Sequence, residues 1–157
     1  MPAVPPFDVV PPDASAMLMS LRGVGYSLPT AIADIVDNSI AATAQNVWID
    51  FRWRGDASSI SILDDGAGMS ASELRLAMKL GGRSPLEMRS DTDLGRFGLG
   101  LKTASLSQCR RFTVASRKNG EMSLRRWDLD YILQDGKDWC LLGAPASGSE
   151  DLFVPLD

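Results

Sequence analysis

The sequence predicts an α+β fold, a two-layer α/β sandwich with helices on one face of a mainly antiparallel mixed sheet, on three observations. Two pairs of strand-like runs are each joined by a turn signal: residues 46–54 and 59–63 around Gly55-Asp56, and residues 111–117 and 122–128 around Asn119-Gly120. Three stretches, 28–42, 70–80 and 98–108, carry helical spacing. No segment repeats, so hairpins and helices must share one core.

The elements follow in chain order. Residues 1–13 hold Pro2, Pro5, Pro6, Pro11 and Pro12, a density that keeps the backbone extended and out of helices and central strands. They read as an N-terminal arm to a domain over residues 14–157. Ser15 is positioned to cap a short helix through Leu21, closed by Gly23 and Gly25, and Ser27 with Pro29 starts a longer one to Ala42. In the first strand Val47, Ile49, Phe51 and Trp53 alternate with Trp48, Asp50, Arg52 and Arg54, giving one apolar face. Ser70 and Glu73 form a capping-box pattern, and Gly81-Gly82 ends that helix. Residues 83–94 are polar and aperiodic, as functional loops are. Residues 139–142 fit a short further strand. Tryptophans 48, 53, 127 and 139 are expected to pack across strands rather than to stack on bases.

Composition excludes several classes. The 157 residues, 45% hydrophobic and 23% charged, suffice for one domain with a core. A net charge of -4 without clustered Lys and Arg gives no indication of nucleic-acid binding. No apolar run approaches the roughly 20 residues that cross a bilayer, and residues 1–10 lack a signal-peptide pattern, so a cytoplasmic location is expected. Cys109 and Cys140 have no neighbouring ligands for zinc, and the absence of histidine excludes Ser-His-Asp and Cys-His hydrolases.

Three motifs carry chemistry. On the 28–42 helix, Ile32, Ile35, Val36, Ser39 and Ile40 fall on one side and Asp34, Asp37 and Asn38 on the other. The polar side fits a solvated helix face. An acid and an amide one turn apart also fit Mg²⁺ with its waters, beside a carboxylate that orients an attacking water. Next, the run 60–69 ends in Asp64, Asp65, Gly66, Ala67, Gly68 and Met69. It fits a tight strand-to-helix turn, and equally a site where backbone approaches a flat ligand while a carboxylate accepts from an exocyclic amine. Last, Gly95, Arg96, Phe97, Gly98, Leu99, Gly100, Leu101 and Lys102 run directly into a helix whose free amides suit a polyphosphate, or else form a hinge. The spacing is neither that of the P-loop nor that of the dinucleotide fingerprint.

Together, in this order, the motifs resemble the GHKL ATPases of the Bergerat fold, the superfamily of gyrase B, ninety-kilodalton heat-shock chaperones, MutL and histidine-kinase catalytic domains. Residues 21–27, 33–39 and 95–102 look most like the MORC-type ATPases and their bacterial relatives, and the resemblance covers roughly residues 15–117. It implies that ATP binds with Mg²⁺, that Asn38 ligates the metal and that Asp64 takes the adenine amino group. Gly66, Gly68 and Met69 would shape the adenine site, and residues 95–102 would wrap the phosphates. Residues 81–94 fall where the family has its lid, with Ser84 a hydroxyl contact. Asp34 stands where the family usually places a water-activating glutamate, one methylene longer, and Asp37 and Lys102 are further catalytic candidates.

The resemblance thus implies slow Mg²⁺-dependent ATP hydrolysis, with lid closure coupled to an ATP-dependent homodimer or to a downstream domain. An ATP-sensing module without turnover and a kinase-type phosphotransfer domain are the alternatives. The expected Gly-Thr pair opening another strand is missing before Asp157, so the chain is expected to be the N-terminal part of a longer protein, or else a short family member with an incomplete sheet.

Overall fold

A computed structural model describes residues 6–23, 25–81, 100–134 and 137–153. Helix α1 spans Ala14–Arg22. Its cap is Asp13, whose carboxylate accepts from the Ala16 amide at 2.7 Å and from the Ser15 hydroxyl at 2.6 Å. This corrects the expectation of Ser15 as cap: the carboxylate two residues earlier reaches the orphan amide, and the serine only braces it. Helix α2, Leu28–Ala41, starts at Ser27, which accepts from the Thr30 amide, with Pro29 in the first turn. Helix α3, Ala71–Met78, has the complete Ser70–Glu73 capping box. Helix α4 spans Gly100–Gln108. The short α5, Leu129–Ile132, and a 3-10 turn at Glu150–Leu152 were not expected.

Strands β1 (Val47–Arg52) and β2 (Ser59–Asp64) pair antiparallel, with Val47 opposite Asp64 and Arg52 opposite Ser59. Strands β3 (Arg111–Lys118) and β4 (Glu121–Asp128) do the same around Asn119 and Gly120, at φ 53° and 82°. Both turn residues are left-handed, as a two-residue hairpin loop with the twist of its strands requires. Residues 139–142 contribute one isolated bridge, Leu142 to Arg126.

The fold is α+β, helices layered on antiparallel β-structure. Among the described residues, however, the strands form two separate pairs instead of one continuous sheet. The core joins α1, α3, α4, β4 and α5: Leu18, Leu74, Met78, Leu106, Trp127, Leu129 and Ile132 are buried together. The Trp127 indole donates to the Met78 carbonyl at 3.0 Å, so the largest core side chain buries no orphan donor. Helix α2 lies against α4.

The β1–β2 pair is peripheral. Its apolar face, Ile49, Phe51, Trp53 and Ile60, is exposed, with the Phe51 and Trp53 rings stacked at 5.9 Å. Alternation records which face of a strand is apolar, but does not say what covers it. Likewise Ile40, expected on the buried side of α2, is exposed, whereas Ala31 and Ser39 are buried. Among the described residues no helix is long and apolar enough to cross a membrane.

Candidate functional site

The residues 64–69 form a corner pinned on three sides. Asp64 ends β2, and its Oδ2 accepts from the hydroxyl of buried Ser39 on α2 at 2.9 Å. Its Oδ1 accepts from the Gly66 amide at 2.9 Å. Asp65 faces the other way: it accepts from the amides of Gln45 (2.7 Å) and Asn46 (2.9 Å) and from the Asn46 side-chain amide at 2.8 Å. The Asn46 side chain first, then its backbone amide, hold the Asp65 carboxyl below its ordinary range. The adjacent acids therefore divide their labour. Asp65 ties the corner to the loop before β1, and Asp64 presents a carboxylate held by two donors.

The glycines are sterically required. A Cβ on Gly66 would lie 2.9 Å from the Ala42 Cβ and carbonyl oxygen and from Asp64 Oδ1. Gly68 has φ 66°, and a Cβ there would run into the Arg117 carbonyl. Between them the Ala67 amide donates to Ala42 O at 2.9 Å, and next door the Met69 amide donates to the hydroxyl of buried Ser116 at 2.7 Å. The loop thus lies between the C-terminal end of α2 and strand β3, and Met69 packs onto the core.

On α2, Asp34 is half-buried and its Oδ2 accepts from the Tyr26 phenol at 2.8 Å. That bond, then burial, then the negative charge of Asp34 raise the Tyr26 pKa, because ionising the phenol would lose the donor and set two anions together. Asn38 is exposed and its side-chain amide donates to the Asp34 carbonyl at 2.9 Å. Asp37 is exposed. Through Ser39, the same helix that carries Asp34 and Asn38 holds Asp64.

Gly100 opens α4 and is exposed, and Leu101 is packed against the core. Lys102 is buried, and its ammonium donates to the carbonyls of Ala77 (2.7 Å) and Lys79 (3.1 Å) at the end of α3. The ammonium stands where an α-helix carries its negative dipole end, so Lys102 ties α4 to α3. Ser84, Gly95, Arg96, Phe97, Gly98 and Leu99 lie outside the described residues. No group of three or more Cys, Asp or Glu that could hold a metal occurs among the described residues. A cavity of about 950 Å³ opens between Met17 and Leu21 of α1, Leu76 of α3, Trp127 and Trp139, and none of the candidate residues that the structure describes lines it.

Sequence reasoning missed Ser39, Ser116 and Tyr26. For Ser39 a signal existed, a hydroxyl on an otherwise apolar helix arc. Ser116 and Tyr26 reach their partners across 47 and 8 residues, and no local pattern marks them.

Residues 26–153 match the family model described as histidine kinase-, DNA gyrase B-, and HSP90-like ATPase. Among individual proteins, the ATPase morc-1 of Caenorhabditis elegans is 31% identical over 91 residues, 58% of this chain and 10% of that protein. The human ATPase MORC2 is 28% identical over 118 residues, 73% of this chain and 11% of that protein. The DNA mismatch repair protein MutL of Edwardsiella ictaluri (strain 93-146) is 31% identical over 121 residues, 74% of this chain and 18% of that protein. The chain thus spans between a tenth and a fifth of the length of these relatives. Its match over 26–153 takes in α2, the corner at 64–69 and α4 together, and the chain belongs to the histidine kinase-, DNA gyrase B-, and HSP90-like ATPase family.

Proposed function

We propose that this domain binds ATP at the corner of residues 64–69 and hydrolyses it slowly with Mg²⁺. The observation that carries the proposal is the Asp64 carboxylate, fixed by the Ser39 hydroxyl and the Gly66 amide beside two glycines that tolerate no side chain. An ionised carboxylate accepts at about four lone-pair sites. Two donors therefore hold Asp64 in place and leave acceptor capacity for the exocyclic amine of adenine, while Gly66, Gly68 and Met69 let the ring approach the backbone.

The donor set fits a phosphate-bound Mg²⁺ rather than a protein-caged one: Asn38 is an exposed amide one turn from Asp34, and Mg²⁺ characteristically takes few protein ligands beside phosphate and water. When bound, Mg²⁺ would neutralise developing phosphate charge. The chain's own residues would do the rest. Asp34 would orient the attacking water, or Asp37 would serve instead as the polarising acid or support the group that does. Residues 95–102 would wrap the phosphates, with the start of α4 supplying amides and Lys102 fixing that helix against α3, and Ser84 would add a hydroxyl.

Lid closure over residues 81–94, coupled to an ATP-dependent homodimer or a further domain, extends the same proposal, as do a cytoplasmic location and the division into an arm of residues 1–13 and a domain of 14–157. The test is phosphate release from ATP with Mg²⁺, for the natural full-length protein and for Asp34→Asn, alongside ADP affinity. Turnover sharply reduced but still measurable in Asp34→Asn, with ADP binding kept, is the expected result. Equal turnover in the variant contradicts the assigned base. ADP binding with no turnover in the natural protein contradicts hydrolysis and leaves an ATP sensor, and label passing to a partner protein would instead indicate phosphotransfer.

A further inference from the structure

We propose that Tyr26 is a positioning residue for Asp34, fixing the short carboxylate in the one orientation from which it can direct a water. The inference rests on the hydrolytic reading above. Tyr26 precedes the α2 cap Ser27, and its phenol reaches over two helical turns to donate to Asp34 Oδ2 at 2.8 Å. Its own backbone is held in turn: the Gln108 side-chain amide, in the last turn of α4, donates to the Tyr26 carbonyl at 2.8 Å and to the Ser107 hydroxyl at 2.9 Å. Arg22 donates from the other side to the carbonyls of Leu106 (3.0 Å) and Cys109 (2.5 Å), so the end of α4 that anchors Tyr26 is itself anchored. Asp34 Oδ1 has no hydrogen-bond partner among the described residues.

One oxygen of the acid is thus committed to the phenol and the other is left to act. An aspartate has fewer rotatable bonds and less reach than a glutamate, so the loss of its rotamer constraint would misplace the acting oxygen with nothing to correct it. Loss of orientation of this kind slows a reaction by about ten-fold or more.

The contact and the role have separate readouts. The chain has two tyrosines, so Tyr131→Phe leaves Tyr26 as the sole phenol to be followed by tyrosinate absorbance. In that background Asp34→Asn should bring the Tyr26 titration down to lower pH, and an unmoved titration overturns the contact. For the role, Tyr26→Phe should lower kcat by about ten-fold while leaving ADP affinity and KM unchanged. In an Asp34→Asn background the same change should cost nothing more, because its effect runs through the carboxylate. Equal losses in both backgrounds, or a loss confined to ADP affinity, would make Tyr26 a structural residue and overturn the proposal. Absence of turnover in the natural protein would overturn the hydrolytic reading and this role with it, whatever the titration shows.

Discussion

The two hairpins of this domain have the same size and opposite surroundings. On β3–β4, Ser116, Trp127 and Asp128 are buried and the pair rests against α3 and α4. On β1–β2, Phe51 and Ile60 are exposed and Trp53 is 73% exposed. What fixes β1–β2 is mainly its end: Asp64 on Ser39 of α2, and Asp65 on the loop at residues 45–46. The candidate site sits at that end. The carboxylates at this terminus, with Arg52 bonded to Asp151 at 2.7 Å at the other, deliver Asp64 to α2 while the apolar face of the pair stays exposed.

Truncating a tryptophan on each hairpin separates the two pairs most directly. Trp127→Ala should cost about 3–5 kcal/mol in denaturant unfolding, since it empties the core and leaves the Met78 carbonyl without its donor. Trp53→Ala should change stability by no more than about 0.5 kcal/mol. Similar losses for both would mean that β1–β2 is as well packed as its counterpart. Next in size, Gly68→Ala should destabilise by about 2–3 kcal/mol, from a left-handed φ and the clash with Arg117 O, and should open the contact between the corner and β3. Full stability in that variant would mean that the corner shifts freely.

The smallest effect concerns the link between α3 and β3. Lys118 on β3, first, and the Ser70 amide of the capping box hold the Glu73 carboxyl down to about 2, from 4.5. A depressed folded pKa contributes stability that is present above about pH 4.5 and lost as pH falls toward 2. Glu73→Gln should therefore flatten the acid limb of the stability profile in that window, and salt should weaken the effect because the pair is solvated. An unchanged acid limb would remove the Lys118 link between α3 and β3.

Much of this was legible in the sequence because it is local. Ser27 with Pro29, Ser70 with Glu73, and Asn119-Gly120 each mark a boundary by chemistry within four residues, and each boundary is found close to where it is expected. The family was legible too, because three motifs in fixed order constrain one another. What stayed hidden depends on distance along the chain. The different partners of Asp64 and Asp65 are set by Ser39 and Asn46, some 20 residues away, and nothing in an Asp-Asp pair says which one bonds to α2 and which to the loop before β1. The burial of Lys102 against α3 carbonyls is likewise a packing outcome that no helix pattern encodes. The apolar alternation of β1 was correct as a pattern, but its cover was not predictable from the strand itself.

The proposed nucleotide site depends on Asp64 receiving an adenine ring. Calorimetric titration with ADP and a non-hydrolysable ATP analogue, with and without Mg²⁺, of the natural chain and of Asp64→Asn tests it most directly. Saturable binding in the natural chain, lost in a variant that melts at the same temperature, is the predicted result. Equal binding by the variant, or no heat of binding from the folded natural chain, would contradict it.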